Sequence, residues 1–326
     1  MREKVFVTGG AGFIGSWICK YHLDKGDEVW ALDNLTTGRE ENLSSFRENS
    51  HFKFTQDNLL AWQDLPKAIE FATRIYHFAA IVGQKVVTTT PGIALEENIR
   101  GCEILLKTMA DLKSKAKIII ASSSEVYGIG VESSFKEDEI ISFQPTQYIQ
   151  NSYSLSKFEN ETMAQIYADR HGLFCVAARL FNTAGPRQTG RYGMVIPRFI
   201  QQCLKDEPLT VYGDGRQTRS FCHVLDTVTM LDLLLSHPES SGSVCNVGND
   251  QEITILELAE LIKKELGSKS EIVFIPYTDV YGFNFKDVLR RKPDLTKMKK
   301  LLNFTPKRSL QEIIRSIKDE AFSLKK

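Results

Sequence analysis

The sequence lacks the features that mark membrane proteins, nucleic-acid-binding proteins and disordered chains. No apolar run approaches the roughly 20 residues that cross a bilayer. The 41 basic residues equal the 41 acidic ones, and they form neither a basic stripe nor an acidic tail. An apolar strand pattern begins almost at the first residue, which leaves no room for a signal peptide. We therefore expect a cytoplasmic protein with no membrane and no nucleic acid among its partners.

The cysteines lack any paired spacing that would indicate a metal site. They are Cys19, Cys102, Cys175, Cys203, Cys222 and Cys245. Most lie in apolar runs, so we expect buried, reduced thiols and no bound metal. The 326 residues suffice for one large or two modest domains with a sizeable core.

A glycine-rich turn stands at the start of the chain. A short apolar run leads into Gly9, Gly12 and Gly15, and an amphipathic segment begins at Phe13 and Ile14. Strand, tight turn and helix in this order are typical of a dinucleotide-binding unit. The first glycine permits the turn, the second lets the backbone approach a pyrophosphate, and the third lets helix and strand pack closely. The N–H groups at the start of the helix would face the phosphates.

An acidic residue follows at the expected distance. The second apolar run, 28–32, ends in Asp33, roughly 20 residues after the glycines. Its carboxylate can accept both hydroxyls of an adenosine ribose and would repel a 2′-phosphate. We therefore expect NAD rather than NADP, although Arg39 lies close enough to keep NADP open. The alternative, an ordinary glycine turn with a surface aspartate, is disfavoured by the position and order of these features.

Strand and helix patterns then alternate. The runs 52–56, 74–80 and 117–121 are apolar, and 90–112 has helical spacing. Continuous apolar strands indicate a parallel sheet covered on both faces, and ligands of such sheets bind beyond the carboxyl ends of the strands. We expect a Rossmann-type, doubly wound α/β sheet. His77 lies within an apolar run, so it is expected to be a satisfied core histidine rather than a catalyst.

A tyrosine and a lysine supply the chemistry. Tyr153 and Lys157 are four residues apart in a helical stretch, so they share one face. The ammonium should lower the phenol pKa from its ordinary value of about 10. The tyrosine can then take a proton from a substrate hydroxyl while a hydride leaves the same carbon. Ser123, after the strand 117–121, can bond the reacting oxygen. Because a surface Tyr–Lys pair is common, the pair alone does not indicate catalysis. The glycine turn and the strand-end serines support the catalytic interpretation.

Together these motifs resemble the extended short-chain dehydrogenase/reductase superfamily, and within it the NAD-dependent nucleotide-sugar epimerase/dehydratase family. The matching segments are 8–15, 33–35, 77–80, 122–128, Tyr153 with Lys157, 179–182, 185–188 and 211–221. The resemblance covers nearly the whole chain and is specific to the family, though not to one reaction. It implies that a sugar hydroxyl at C4 is oxidised to a ketone while NAD is reduced.

The fate of the ketone separates the members of the family. Dehydratases of this type carry Asp-Glu after the catalytic Ser or Thr, whereas this chain has Ser124-Glu125, so 4,6-dehydration is disfavoured. That dipeptide and the segment 291–294 are similar to UDP-glucuronate decarboxylases, in which carbon dioxide leaves from C5. There Glu125 would steer the sugar and Arg291 would assist the acidic sugar or a proton transfer. Glu125 can equally be a residue that only orders the loop.

The resemblance favours a UDP-hexose 4-epimerase first, because 185–198 and the loop 33–35 look more like that group. Decarboxylation of UDP-glucuronate is the alternative. A non-enzymatic NAD-binding regulator would usually lack the tyrosine or the lysine, and both remain. The nucleotide, the sugar and the inverted carbon are expected to depend on 82–85, 146–151 and 188–194.

The candidate site residues fall into three groups. The catalytic candidates are Ser123, Ser124, Glu125, Tyr153 and Lys157. The cofactor-binding candidates are Gly9, Gly12, Phe13, Ile14, Gly15, Asp33, Asn34, Asp57, Asn58, Leu59, Ala79, Ala80, Asn98, Tyr153 and Lys157. The substrate-binding candidates are Ser123, Ser124, Asn182, Arg187, Val195, Tyr212, Arg219 and Arg291. Arg219 and Arg291 are candidate diphosphate ligands, because guanidinium groups fit phosphate oxygens.

Two interleaved lobes are expected. The NAD-binding lobe would comprise 1–185, with 220–250 returning to it, and the smaller nucleotide-sugar lobe would comprise 186–219 and 251–326. The pattern predicts a helix over 193–208, a strand over 210–212 with a hairpin turn at 213–215, a helix over 221–235 and a last strand over 244–248. The helix over 91–112 and the helix that carries Tyr153 expose apolar positions. By resemblance, these two helices form a homodimer interface.

Overall fold

The computed structural model describes residues 2–82, 90–128, 134–143, 151–190, 194–281 and 288–323. Its strands are β1 Lys4–Thr8, β2 Glu28–Asp33, β3 Phe52–Gln56, β4 Arg74–His77, β5 Lys117–Ser123, β6 Phe174–Leu180, β7 Thr183–Ala184, β8 Leu209–Tyr212, β9 Thr218–Ser220, β10 Cys222–His223, β11 Ser243–Val247, β12 Glu252–Thr254, β13 Ile272–Ile275 and β14 Arg290–Arg291. Seven of these strands form the main sheet, which is parallel and has the order β11-β6-β5-β4-β1-β2-β3.

Helices cover both faces of this sheet, as the alternating pattern predicts. They are α1 Phe13–Asp24, α2 Leu65–Phe71, α3 Pro91–Asp111, α4 Asn151–His171, α5 Val195–Leu204, α6 Val224–Ser236, α7 Ile255–Leu266, α8 Tyr277–Tyr281, α9 Thr296–Leu302 and α10 Leu310–Ser323. Short 3₁₀ helices occupy Glu40–Phe46, Ser124–Tyr127 and Pro238–Ser240.

Alternating side chains of each strand build two cores. Val5 and Val7 of β1 join a buried cluster with Ile18 of α1, whereas Phe6 between them packs in a second cluster with Trp62. Successive residues of a strand point to opposite faces, so a strand that is apolar at every position must be covered twice. The predicted doubly wound, Rossmann-type α/β sheet is confirmed.

A third buried cluster lies outside the main sheet. It joins α5, α7 and α10 to the short strand β8, with Phe199, Leu258 and Ile313 fully buried. The predicted helix over 193–208 is shorter than expected, and the helix predicted over 221–235 begins at Val224, after β10.

The predicted hairpin at 213–215 is wrong. The strand β8 pairs in parallel with β13, and β9 pairs with β12 and β14 instead of folding back on β8. Both Gly213 and Gly215 have positive φ, +70° and +75°, so the turn itself is present. It redirects the chain into a second small sheet because the partners of both strands lie later in the chain.

All six cysteines are buried, as predicted, and none of them forms a disulfide. Among the described residues, no helix combines the length and the apolar character needed to cross a membrane.

A buried charge network ties α6 to the amino-terminal edge of the sheet. The Asp232 carboxylate lies 2.8 Å from the guanidinium of Arg74 and 2.8 Å from the ammonium of Lys25. The Tyr21 hydroxyl donates to it at 3.1 Å. The Asp232 and Arg74 side chains are only 7% and 12% exposed, whereas Lys25 is 43% exposed. Losing the carboxylate would leave a nearly buried guanidinium with one partner fewer, which is costly.

We expect Asp232→Ala to lower the free energy of unfolding by about 3 kcal/mol, because breaking a buried ion pair strands the remaining charge. Lys25→Ala removes the exposed partner of the same carboxylate and should cost less than about 1 kcal/mol. Urea unfolding of both variants measures the difference. Equal losses of unfolding free energy in the two variants would show that burial of the Asp232–Arg74 pair does not determine how much the pair stabilises the fold.

Candidate functional site

A cavity of about 640 Å³ lies at the carboxyl ends of the main-sheet strands and is also lined by residues of α5, β8, β9 and β14. Every residue predicted to act in catalysis or to bind cofactor or substrate lines it, with the exception of Asn98. Of the segments expected to set substrate identity, 83–85, 146–150 and 191–193 lie outside the described residues.

The glycine turn has the geometry that its spacing predicts. Gly9 has a φ of +74° and donates its N–H to the Leu32 carbonyl at 2.8 Å. A Cβ at Gly15 would lie 2.1 Å from the Gly9 oxygen, so only glycine permits this approach of helix and turn. The helix α1 begins at Phe13 without a capping side chain and without an acidic residue in its first turn. Such a helix start suits an anionic ligand.

Asp33 links the turn to the loop that follows β2. Its carboxylate accepts the N–H groups of Ala11 at 2.9 Å and Leu35 at 2.8 Å. Burial raises the pKa of Asp33, and these backbone hydrogen bonds oppose the rise. A Cβ at Gly38 would lie 2.7 Å from both carboxylate oxygens, so the glycine keeps this side of the carboxylate open.

Two other polar candidates make local hydrogen bonds. Asp57 accepts the N–H of Asn58 at 2.7 Å, and Asn58 accepts that of Leu60 at 3.0 Å. They cap the turn after β3 and also line the cavity. Asn34 behaves in the same way, since it accepts the N–H of Thr36 at 3.0 Å.

Asn98 does not line the cavity, and its contact with a cofactor stays a prediction. Its side chain is buried and makes two hydrogen bonds with the backbone of Ile81, at 2.7 and 3.1 Å. Asn98 thus fixes the chain beyond β4, next to Ala79 and Ala80. The amide is satisfied by a backbone that the sequence pattern could not place opposite it.

His77 is buried, as predicted, and is not fully satisfied. Its Nδ1 bonds the Thr8 hydroxyl at 2.8 Å, while its Nε2 has no partner among the described residues. Burial, with a smaller contribution from the Lys157 ammonium, lowers the pKa of His77 to about 3. The imidazole is therefore neutral near pH 7.

The catalytic candidates converge at the end of β5. The hydroxyl of Tyr153 bonds the side chain of Ser123. The Lys157 ammonium donates to the Ala121 carbonyl at 2.9 Å and lies 5.8 Å from the centre of the tyrosine ring. Strand and helix thus bring together serine, tyrosine and lysine, which are far apart in the sequence.

The electrostatics of this trio differ from the expectation. Burial lowers the pKa of Lys157 to about 8. Burial, followed by the nearby Glu125 carboxylate, raises the pKa of Tyr153 above its ordinary value of 10, and the bond with Ser123 opposes the rise. Burial and the Glu125 carboxylate thus raise the pKa of Tyr153 in the described residues, where the sequence predicted that it would be lowered.

A charge pair borders the serines. The guanidinium of Arg291 donates to both carboxylate oxygens of Glu125, and the arginine side chain is 11% exposed. Arg291 of β14 is the register partner of Arg219 on β9. The two candidate diphosphate ligands are thus neighbours, and Arg291 lies on the side of the serines.

The other substrate candidates are spread along the cavity. The guanidinium of Arg187 lies 4.3 Å from the ring of Trp17 on α1 and donates to Ser45 at 3.3 Å. It therefore lies on the dinucleotide side, away from the serines. The guanidinium of Arg198 lies over the ring of Tyr212, 3.9 Å from the ring centre. The remaining candidates are Asn182, which donates to the Ser220 carbonyl at 3.1 Å, and Val195, the first residue of α5.

The sequence analysis missed a buried ion pair behind the site. Glu161 of α4 accepts from Arg179 of β6 at 2.8 and 2.9 Å, and from the Ser122 hydroxyl at 2.5 Å. Both charged side chains are at most 4% exposed. Glu161 follows Lys157 by four residues, so helical spacing could have placed them on one face.

Similarity to known proteins fits this geometry. Residues 6–317 match the family model described as GDP-mannose 4,6 dehydratase. The chain belongs to this family. It is an extended short-chain dehydrogenase/reductase.

The relatives by sequence carry decarboxylase names. The chain is 35% identical to the UDP-N-acetyl-alpha-D-glucosaminuronate decarboxylase of Bacillus cytotoxicus, over 96% of this chain and 95% of that protein. It is also 35% identical to UDP-glucuronic acid decarboxylase 1 of Arabidopsis thaliana, over 95% of this chain and 68% of that protein.

Among solved structures, the similar proteins include epimerases. The UDP-glucuronic acid 4-epimerase of Bacillus cereus, in complex with UDP-glucuronic acid and NAD, has a TM-score of 0.86 and 28% identity, over 98% of this chain and 99% of that one. The UDP-glucose 4-epimerase of Thermotoga maritima has a TM-score of 0.87 and 27% identity, over 99% and 100%.

We expect Tyr153→Phe to lower turnover by about 10²- to 10⁴-fold, because the phenol is the group positioned to move the proton. Cofactor binding should be retained, since only one hydroxyl is lost. Product formation and cofactor retention after desalting measure the two effects. Tyr167→Phe, on the same helix but outside the cavity, is the matched control, and unchanged turnover in Tyr153→Phe would overturn the assignment.

Proposed function

We propose that this enzyme decarboxylates a UDP-linked hexuronate through a transient C4 ketone, with NAD as its cofactor. The observation that carries the proposal is the Glu125–Arg291 pair beside the catalytic serine. A hexuronate carries a carboxylate at C6, and a guanidinium is the side chain best suited to receive it. The decarboxylase names of the relatives support the same reaction.

The dinucleotide half of the cavity fits NAD. The uncapped start of α1 would hold the diphosphate and the Asp33 carboxylate the adenosine ribose. The buried ammonium of Lys157 would hold the nicotinamide ribose. Bound NAD supplies the chemistry of accepting a hydride from C4 and returning it at the end of the cycle.

The phenol of Tyr153 would act first, by taking the proton of the C4 hydroxyl while Ser123 bonds the same oxygen. Burial makes this deprotonation difficult, because it raises the pKa of the phenol. The ammonium of Lys157 and the positive charge of the oxidised nicotinamide ring both favour the phenolate. The cost set by burial is thus offset when the site is filled.

In the second step the C5–C6 bond would break. Carbon dioxide leaves, and the electron pair of the bond moves into the C4 carbonyl to give an enolate, whose oxygen the hydroxyls of Ser123 and Tyr153 stabilise. A proton then adds at C5, and the phenol returns its proton to the C4 oxygen as the ketone is reduced. The sum is one UDP-hexuronate and one proton converted to one UDP-pentose and one carbon dioxide.

A 4-epimerase is the second candidate, and the structural likeness to UDP-sugar 4-epimerases supports it. It needs the same oxidation by Tyr153, Ser123 and Lys157. It differs in the next step, since the intact ketone must turn over and receive the hydride on its other face. The epimerase expected first from the sequence is not confirmed by the relatives.

The deciding experiment incubates the enzyme and NAD with UDP-glucuronate, UDP-N-acetylglucosaminuronate and UDP-glucose. We expect loss of carbon dioxide from a uronate, observed by mass spectrometry, and a pentose spectrum by proton NMR. An unchanged mass with inverted coupling at C4 would replace decarboxylation with epimerisation. In the same series, Arg291→Gln should weaken UDP-uronate binding by about tenfold or more and leave UDP-glucose binding nearly unchanged, because one charge-assisted bond is lost.

The matched control for that variant is Arg219→Gln. Arg219 lies beside Arg291 in register, and as a diphosphate ligand it should weaken uronate and glucose nucleotides equally. An equal loss for both ligands in Arg291→Gln would contradict the proposed contact with the uronate carboxylate.

We further propose that two copies associate through α3 and α4, as the family resemblance implies. These helices pack on each other and expose apolar side chains, with Ile93 and Ile166 about half exposed. Such side chains gain stability when a second apolar face covers them.

Light scattering should give the mass of a dimer, and Ile166→Asp should shift it towards a monomer. Val273→Asp, at an exposed apolar position on β13, should leave the dimer intact. A monomeric unmodified protein would refute the dimer without affecting the proposed reaction.

A further inference from the structure

We propose that Asn246 is a positioning residue for the Glu125–Arg291 pair, and that it governs the carbon dioxide step separately from C4 oxidation. The proposal rests on the decarboxylation proposed above. Asn246 lies on β11, is fully buried and does not line the cavity. Any effect on the reaction must therefore pass through other residues.

The side-chain amide of Asn246 makes three hydrogen bonds. Its oxygen accepts the Tyr127 hydroxyl at 2.7 Å. Its amide donates to the carbonyls of Phe135 at 2.9 Å and Asp294 at 3.1 Å. One buried amide thus joins three segments that are distant in the sequence. Because each of these groups is shielded from water, leaving one unpaired is costly.

Two of these segments carry the charge pair. Tyr127 ends the 3₁₀ helix Ser124–Tyr127, whose second residue is Glu125. Asp294 stands three residues after Arg291. The Asn246 side chain therefore holds the Tyr127 side chain on the Glu125 side of the pair and the Asp294 backbone on the Arg291 side, and the separation between the carboxylate and the guanidinium depends on it.

The third segment reinforces the link. The N–H of Phe135 donates to the Lys292 carbonyl at 2.9 Å, and the N–H of Asp294 donates back to the Phe135 carbonyl at 2.8 Å. The ring of Phe135 stacks on that of Tyr127 at 4.7 Å. The segment around Phe135 therefore connects the 3₁₀ helix Ser124–Tyr127 to the segment 291–294, and Asn246 contacts all three.

The hydride-transfer group is held by other contacts. Lys157 bonds the Ala121 carbonyl of β5, and Tyr153 bonds Ser123. Oxidation at C4 should thus survive a change at Asn246. Loss of carbon dioxide is more sensitive, because the C5–C6 bond must align with the π system of the ketone, and misplacement by about 1 Å can cost about 10²-fold. The pair that meets the carboxylate sets that alignment.

The test uses Asn246→Asp in the full-length, NAD-loaded enzyme with a UDP-uronate that the unmodified enzyme decarboxylates. The variant keeps the shape and the acceptor oxygen, and it places a carboxylate against the carbonyls of Phe135 and Asp294. We expect carbon dioxide release to fall about tenfold or more, while the rate of NADH formation stays within about threefold. NADH and the 4-keto sugar should accumulate, as followed by absorbance and mass spectrometry.

Tyr127→Phe removes only the hydroxyl arm and should give a smaller loss of the same kind. It carries the test if Asn246→Asp does not fold. Asp232→Asn, which perturbs the distant charge network, is the control for general destabilisation and should leave the ratio of the two rates unchanged. Equal loss of both rates in the Asn246 and Tyr127 variants, or no loss of either, would overturn the proposal.

The two proposals fail in different ways. If the unmodified enzyme releases carbon dioxide and the variants keep its ratio of rates, only the role of Asn246 is refuted. If the unmodified enzyme releases none from any uronate, the proposed function is refuted and the role of Asn246 falls with it.

Discussion

The relation between catalytic helix and sheet depends on the buried ion pair of Glu161 with Arg179. Glu161 lies on α4 with Tyr153 and Lys157, and Arg179 lies on β6. The hydroxyl of Ser122, near the end of β5, also donates to Glu161. Burying two charges is costly, and here every carboxylate oxygen is hydrogen-bonded. We therefore assign the pair mainly a geometric role, because it fixes the rotation of α4, the helix that points the Tyr153 phenol at Ser123.

The cavity has two chemically distinct halves. The dinucleotide half is built from backbone N–H groups, one carboxylate and close glycine contacts, all on the first strands of the sheet. The other half gathers arginines from β9 and β14 against the serines. In the proposed function, hydride transfer takes place where the halves meet, and the second half selects which later reaction the same oxidation serves.

Local spacing predicted much of this arrangement, including the glycine turn and the Tyr153–Lys157 face. It failed where distant chain segments decide the outcome. The hairpin at 213–215 is absent because the partners of both strands lie later in the chain. The pKa of Tyr153 is raised because the fold buries the phenol and brings the Glu125 carboxylate near it. Asn98 is satisfied by a backbone that only the fold places opposite it. The division into lobes at 185 stays a prediction.

The position of Arg291 near the end of the chain has a consequence for the order of biosynthesis. A ribosome releases the glycine turn, the serines and the helix that carries Tyr153 before β11, and it releases Arg291 after β11. Since chains generally fold from the amino terminus during synthesis, the residues proposed for hydride transfer are in place before the guanidinium proposed to select the reaction. A nascent chain halted before β11 would carry Tyr153, Lys157 and Ser123 without the Glu125–Arg291 pair.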